Sequence, residues 1–168
     1  MPSAPRFNFL IPVSSPLALD CVRAVRLRQG DRDIARGLFA AMAEVFDQPA
    51  GPLCDASIDR LLCRDDFWAV AAFVGEDLAG GVTAHTLPMS RSDGSELFIY
   101  DVAVRRRYQR MGIGRQLLET TCQLAAQLGI HFSFVLAENI DTHALDFYRA
   151  LGATESSVTL FAFERNGQ

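Results

Sequence analysis

The sequence predicts a mixed α/β domain, and two stretches carry that prediction. An apolar run at 67–74 (FWAVAAFV), a Gly75-Glu76-Asp77 turn and a returning run at 78–87 read as an antiparallel meander. Further on, strand 96–104 (ELFIYDVAV), a loop at 105–111, helix 112–129 and strand 131–137 follow one another. That succession implies a right-handed crossover between parallel or near-parallel strands. One sheet must then hold both kinds of pairing, with helices packed on it.

The remaining elements fit around this frame. Residues 22–28 (VRAVRLR) alternate apolar and basic, as a half-exposed strand would. Gly30-Asp31 opens an amphipathic helix over 31–46, with Asp31 or Asp33 near its start. The stretch Asp47-Gln48-Pro49-Ala50-Gly51-Pro52 is a loop by composition, and a short helix follows at 55–64. Residues 88–95 are polar, contain Gly94 and form another loop. A helix at 141–151 and a final strand at 154–164 complete the order. Residues 1–20 hold the apolar runs Phe9-Leu10-Ile11 and Leu17-Ala18-Leu19, but Pro12 and Pro16 interrupt them. The stretch is too short to span a membrane. It reads as an irregular N-terminal extension, with 21–168 as a single domain.

Composition bounds the partners. The 168 residues are 49% hydrophobic and 21% charged, an ordinary globular balance. A net charge of -4 argues against a general nucleic-acid binder and suits a cationic substrate. Cys21, Cys54, Cys63 and Cys122 form no CxxC pair, and with His85, His131 and His143 they show no zinc-ligand spacing. No metal is expected, and free, partly buried thiols point to a reducing cytoplasm.

The chemistry concentrates after Val104. There Arg105-Arg106-Arg107-Tyr108-Gln109-Arg110-Met111-Gly112-Ile113-Gly114-Arg115 runs from a strand into a helix. Free N–H groups and the helix dipole favour an anion at that helix start. Gly112 and Gly114 let backbone approach a phosphate, and arginines can reach further oxygens. The Walker pattern GxxxxGK[ST] and the dinucleotide pattern GxGxxG are both absent.

Gln109-x-x-Gly112-x-Gly114 resembles the Q/R-x-x-G-x-G/A signature of the GNAT superfamily of N-acetyltransferases. A closer resemblance, to gentamicin-type aminoglycoside 3-N-acetyltransferases, rests on that loop, on Phe98-Ile99-Tyr100-Asp101-Val102-Ala103-Val104 and on Ala144-Leu145-Asp146-Phe147-Tyr148-Arg149-Ala150-Leu151-Gly152. It covers 67–164; residues 1–60 match in pattern only. The resemblance implies a mixed, mostly antiparallel central sheet with a splayed parallel pair, flanked by about four helices. It implies acetyl-CoA as cosubstrate: Gln109, Arg110, Met111, Gly112, Ile113, Gly114 and Arg115 would take the pyrophosphate, and Val102, Ala103 and Val104 the pantetheine arm. It also implies an aminoglycoside acceptor modified at its 3-amino group, antibiotic resistance by that modification, and a homodimer. Many superfamily members start the last helix with Asn; here that position is Asp141, so the Asn contact to pantetheine does not simply carry over.

Acyl transfer from a thioester to an amine needs a neutral amine, a donor for the oxyanion and a proton for the departing thiolate. No nucleophilic cysteine is required. Tyr148 falls where the family's general acid lies, and a phenol with a pKa near ~10 suits a thiolate. The alternative for Tyr148 is simple packing on the sheet edge. Asp101 is the leading base or amine-binding group. Strict alternation would set Ile99, Asp101 and Ala103 on one face of the strand and Tyr100, Val102 and Val104 on the other. A carboxylate among apolar neighbours needs a task or a partner, and backbone or Arg could equally satisfy it. Glu138, just past the next strand, could instead activate the amine, directly or through water, and Glu138 and Asp141 fall beside the cleft by strand-end logic. Tyr100, Glu44 and Asp47 complete the acceptor candidates, with Asp55 also flanking the loop between the first helices. Rival acceptors are polyamines, other small amines and protein N-termini; a rival of another class is a non-catalytic acyl-CoA-binding module.

Overall fold

The computed structural model describes residues 22–48, 51 and 53–163. Its elements are β1 (Val22–Arg26), α1 (Arg32–Val45), α2 (Asp55–Leu62), β2 (Phe67–Val74), β3 (Asp77–Pro88), β4 (Ser95–Val104), α3 (Ile113–Gln127), β5 (Ser133–Val135) and α4 (Thr142–Ala150), with a 3₁₀ turn at Arg106–Tyr108. The chain divides into two compact units, one reaching Val135 and one starting at Leu136. The expected extension at 1–20 lies outside the described residues.

The first unit is built on one sheet in the order β1-β2-β3-β4-β5. The first three pairings are antiparallel, and β4 pairs with β5 in parallel. This is the mixed sheet that the two stretches require, and it is mostly antiparallel as the resemblance implies. The run of β2 is apolar at nearly every position because both of its faces are covered. On one face Phe67, Ala69, Ala71 and Phe73 pack with Leu27, with Ala35, Leu38 and Met42 of α1, and with Ile58 and Leu62 of α2. Trp68 and Val70 alternate onto the other face with Val82, and α3 buries Ile113, Leu117, Thr121 and Ala125 there.

Two glycines in β3 answer to close approach. A Cβ at Gly80 would overlap the Ala103 carbonyl of β4, and one at Gly81 would overlap the Val70 carbonyl and the Leu38 side chain of α1. α1 is clamped to α2 by Arg32, whose Nε donates to Asp59 Oδ1 at 2.7 Å while Nη2 reaches Oδ2. Asp55 bridges Arg32 and Arg36 at 3.4 and 2.9 Å.

The structure corrects three expectations from the sequence. β1 stops at Arg26 rather than 28. β5 has three residues rather than seven, because the ladder with β4 registers only Ser133–Val135, with one further bond just before it, Leu97 N donating to Phe132 O at 3.0 Å. The expected strand at 154–164 does not form over its described part, 154–163. Val158, Leu160, Phe161 and Phe163 are exposed there. Apolar residues at 158, 160, 161 and 163 break strict alternation, and a strand exists only where a neighbour supplies ladder hydrogen bonds. Over its described residues the second unit is therefore α4 with irregular chain on either side.

Candidate functional site

β4 is the element on which the site is built, and its register has one irregularity. Asp101 pairs with Thr83 and Ile99 with Ala84, so Tyr100 is an extra residue, a β-bulge. Strict alternation fails at that point. Thr83 Oγ1 donates to Asp101 Oδ2 at 2.7 Å. The Tyr100 ring lies 6.1 Å from His85 and 5.6 Å from Phe98. Thr83 and His85 alternate onto one face of β3, the face of Phe67 and Ala69. Tyr100 and Asp101 thus share a face instead of opposing each other. The physical cause is the added residue, which rotates the strand by half a period.

The same region of β4 has an open edge. β5 pairs only with Leu97–Ile99, so the parallel pair parts beyond Ile99. Successive residues direct their peptide groups to opposite edges of a strand. Arg105 N donates to Ala79 O on the β3 side, at 2.9 Å. Val104 therefore turns its peptide groups the other way, and its carbonyl accepts Gln109 Nε2 at 2.9 Å. By the same alternation Val102 presents its N–H and C=O to the unpaired edge, while Ala103 faces β3 and buries its methyl in the core.

From Val104 the chain enters the glycine-bearing loop. Tyr108 anchors it by donating to Asp77 Oδ2 at 2.7 Å, and Arg107 pairs with the same carboxylate at 3.5 Å. The accepting Asp77 oxygen holds the Tyr108 hydroxyl pKa above its usual value. Arg105 Nη1 donates to Leu78 O at 3.2 Å. Arg110 and Gly112 then adopt left-handed φ values of 63° and 80°. Residues of alternating hand turn successive N–H groups to one side, a concave anion nest. α3 starts at Ile113, and Gln116 N is the first to bond back, to Gly112 O at 3.1 Å. The N–H groups of Ile113, Gly114 and Arg115 precede any intrahelical acceptor. The Ile113 side chain is 1% exposed and serves the core, so only its N–H can face a ligand. Arg106, Arg110 and Met111 are exposed, and the two arginines form no ion pair among the described residues. Arg115 pairs with Glu119 at 3.5 Å.

Glu138, Asp141 and Tyr148 belong to the second unit. Asp141 caps α4, accepting Ala144 N at 3.0 Å, and its own N–H donates to Glu138 O at 2.9 Å. A carboxylate there satisfies a helix N–H and favours the dipole, so the substitution of Asp for the common Asn retains the cap. Tyr148 is half-buried, with its ring 5.2 Å from Phe147. Glu44 and Asp47 are exposed at the end of α1, and Asp47 has φ 51°. Asp55 is engaged by the two α1 arginines.

The first unit thus brings together Asp101, Tyr100, Val102–Val104 and the 109–115 loop. Sequence reading missed Thr83 as the partner of Asp101, because cross-strand register is not visible in one strand's residues. It missed the bulge for the same reason. Cys54, Cys63 and Cys122 are free; Cys54 and Cys63 are exposed, whereas burial pushes the Cys122 thiol pKa up, and Cys21 lies outside the described residues. Among the described residues no cluster of His, Cys, Asp or Glu could hold a metal ion, and no helix is long and apolar enough to cross a membrane.

Comparison with known proteins places this geometry. A family model described as the acetyltransferase (GNAT) family matches residues 35–153. No curated protein sequence matches significantly. Among solved structures, the chain is similar to an aminoglycoside acetyltransferase, meta-AAC0020, from an uncultured soil metagenomic sample. In the complex with trehalose the identity is 28% and the TM-score 0.81, over 88% of this chain and 99% of that one. In the complex with sisomicin the identity is again 28% and the TM-score 0.81, over 87% and 98%. The structure of AAC(6')-Iy with the bisubstrate analog CoA-S-monomethyl-acetylneamine matches at 16% identity and TM-score 0.73, over 86% and 98%, a likeness of fold. The model match covers most of the chain and takes in the strand, loop and helix of the site, and with it the chain belongs to the acetyltransferase (GNAT) family.

Proposed function

We propose that this protein transfers acetyl from acetyl-CoA to an amine of a polycationic aminoglycoside, at its 3-amino group. The observation that carries the coenzyme half is the continuity of two features. The open edge of β4 at Val102 leads through Val104 into the nest formed by Arg110, Gly112 and the first turn of α3. A pantetheine arm carries amides that can pair with a strand edge, and a pyrophosphate needs converging N–H groups and cations. Val102, the loop N–H groups, Arg106 and Arg110 meet both needs. The acceptor half is supported by the similarity to the aminoglycoside acetyltransferase meta-AAC0020, one of whose structures is a complex with sisomicin. The 3-amino position rests on the resemblance carried by Phe98–Val104, the glycine-bearing loop and Ala144–Gly152. The family model runs from 35 to 153 and so crosses from the first unit into the second, which supports 21–168 acting as a single acetyltransferase domain.

Acetyl-CoA, when bound, supplies an activated acetyl group on sulfur. The work of this chain is then to place an amine, remove its proton and protonate the sulfur. Asp101 has one carboxylate oxygen on Thr83, and the other is without a hydrogen-bond partner among the described residues. That second oxygen can accept the amine proton, directly or through a water. Thr83 fixes the carboxylate's rotation, so the acceptor lone pairs keep one direction. Tyr148 would hold the proton for the sulfur, and Glu138 and Asp141 would attract the remaining ammonium groups. The test is release of free thiol from acetyl-CoA with sisomicin, spermidine, a simple monoamine and a peptide as acceptors. Thiol release with sisomicin and mass-spectrometric location of the acetyl on the 3-amino group is the expected result. Turnover confined to spermidine or peptide would overturn the aminoglycoside assignment, and coenzyme binding without thiol release from any amine would point to a binding module.

A further inference from the structure

The face of the sheet that carries Asp101 also carries a row of rings. Phe67, His85, Phe98 and Phe134 are in direct register across β2, β3, β4 and β5. Phe67 and His85 are 5.4 Å apart, and Phe98 stacks on Phe134 at 5.1 Å with 17° between planes. Phe132 continues the row, 6.0 Å from Phe134. At its β2 end the row is covered, since Phe39 of α1 meets Phe67 edge-on at 6.3 Å. Toward β4 and β5 that cover ends. Tyr100, raised onto this face by the bulge, is 62% exposed, and Phe132 is 58% exposed. A contiguous exposed ring surface costs free energy in water unless something covers it.

Charge says what kind of molecule that is. Asp101 stands beside Tyr100. Glu96 lies two residues before Phe98 on the same face, half-buried and without an ion pair among the described residues. Counting the bulge as one lost step, the two carboxylates are separated by roughly 13 Å of strand at about 3.3 Å per residue. Aromatic faces attract cations and the C–H faces of saturated rings, while carboxylates pair with ammonium groups.

We propose that Tyr100, Phe98 and His85 form a shelf, bounded by Asp101 and Glu96, that seats the rings of a cyclic polyamine, an aminocyclitol joined to amino sugars. A ring lies on the Tyr100 face with its edge against Phe98, whose plane stands at 76° to that of Tyr100, one ammonium meets Glu96, and the reacting amine is delivered at Asp101. The shelf makes the enzyme selective for ring-bearing over linear polyamines of equal charge. The inference rests on the acceptor reading above and deepens it.

The test compares sisomicin, a cyclic polyamine, with spermidine, a linear one. Direct calorimetric binding and steady-state thiol release are measured for wild type, Tyr100→Ala, Tyr100→Phe and Glu96→Gln, with circular dichroism to confirm folding. Tyr100→Ala is expected to weaken sisomicin binding about tenfold and to lower the sisomicin/spermidine ratio of kcat/KM by a similar factor. Tyr100→Phe keeps the ring and restores both. Glu96→Gln raises KM for sisomicin severalfold at low salt, and added salt reduces the difference. Sisomicin binding that is equal in wild type, Tyr100→Ala and Glu96→Gln would overturn the shelf. So would a wild type that acetylates spermidine but does not bind sisomicin, and in that case the acetyltransferase reading stands. Tyr100-dependent sisomicin binding with no thiol release from any amine would support the shelf and remove the catalytic reading instead.

Discussion

Thr83 and Asp101 face each other across β3 and β4, hydroxyl to carboxylate at 2.7 Å, one step from the bulge that brings Tyr100 to their side. The pair resolves what a carboxylate is doing in the middle of an apolar strand. It is held by a neighbouring hydroxyl rather than paired with an arginine, which leaves its second oxygen without a hydrogen-bond partner among the described residues. Thr83→Val removes the hydroxyl at nearly constant volume. The expected outcome is a fall in kcat of about tenfold, the scale of one hydrogen bond to a charged group. The KM for acetyl-CoA stays unchanged and Thr83→Ser restores turnover. Steady-state kinetics on the two variants checks this; a Thr83→Val enzyme as active as wild type would relieve Asp101 of its positioning partner.

Asp101→Asn keeps shape and discards the charge. A lost general base costs roughly 10²–10⁴-fold in turnover, and acetyl-CoA binding is expected to be spared. Measuring kcat beside the calorimetric affinity for the coenzyme separates the two effects. A parallel loss of both would mean that Asp101 supports the coenzyme site rather than the amine.

Tyr148→Phe removes a single oxygen. If that hydroxyl protonates the departing sulfur, kcat drops by about 10²-fold with coenzyme affinity intact. An acetyl donor with a more acidic thiol leaving group needs less protonation and is expected to recover much of the loss. Equal impairment with both donors would return Tyr148 to packing beside Phe147.

The clamp between α1 and α2 predicts how stability depends on pH. Hydrogen bonding from Arg32, then its charge and that of Arg36, holds the Asp59 pKa below its ordinary value of 3.8. A lowered carboxylate pKa contributes stability above the ordinary value and loses it as pH falls through the folded-state value. Thermal melting should therefore show an acid-side decline below about pH 4. That decline is smaller in Asp59→Asn, which is less stable than wild type at neutral pH. Coincident acid profiles for the two proteins would mean the clamp contributes nothing.

Much of this was legible in the residues. Helices over 31–46 and 55–64, the meander from 67 to 87 and the strand-loop-helix around Gly112 stand within a few residues of where periodicity and turn chemistry set them. Those signals are local: an apolar stripe, a glycine, a breaker. What sequence did not reveal depends on pairing. The bulge at Tyr100 exists only in the register between β3 and β4, and the Thr83 partner of Asp101 only across that ladder. β5 was overextended because Phe132 and Leu136 are apolar yet exposed. The segment after Gly152 resembled a strand by composition but has none of the hydrogen-bonding neighbours a strand requires.

Gly81 offers a check on the sheet that supports the site. Its missing Cβ makes room for Leu38 of α1 and for the Val70 carbonyl. Gly81→Ala must displace backbone or helix, and overpacking of this kind typically costs about 1–3 kcal/mol. Gly75→Ala, in the exposed turn, meets no neighbouring atom and carries only the penalty of its left-handed φ of 60°. Chemical denaturation of both variants should place Gly81→Ala as the more destabilised, and the reverse order would contradict the packing described for β3.

The central claim is that the nest at Arg110–Gly112 and the start of α3 take the pyrophosphate of acetyl-CoA. Gly112 has a φ of 80° that a β-branched residue resists, and its N–H is one of those proposed to meet the pyrophosphate. The most direct measurement is calorimetric titration of acetyl-CoA into wild type and Gly112→Val, with circular dichroism and melting to verify that the variant folds. The account predicts saturable binding to wild type and an affinity at least about tenfold weaker in the variant, the scale of one lost charge-assisted hydrogen bond. A folded Gly112→Val protein that binds acetyl-CoA as wild type does, or a wild type that does not bind it, would contradict the account.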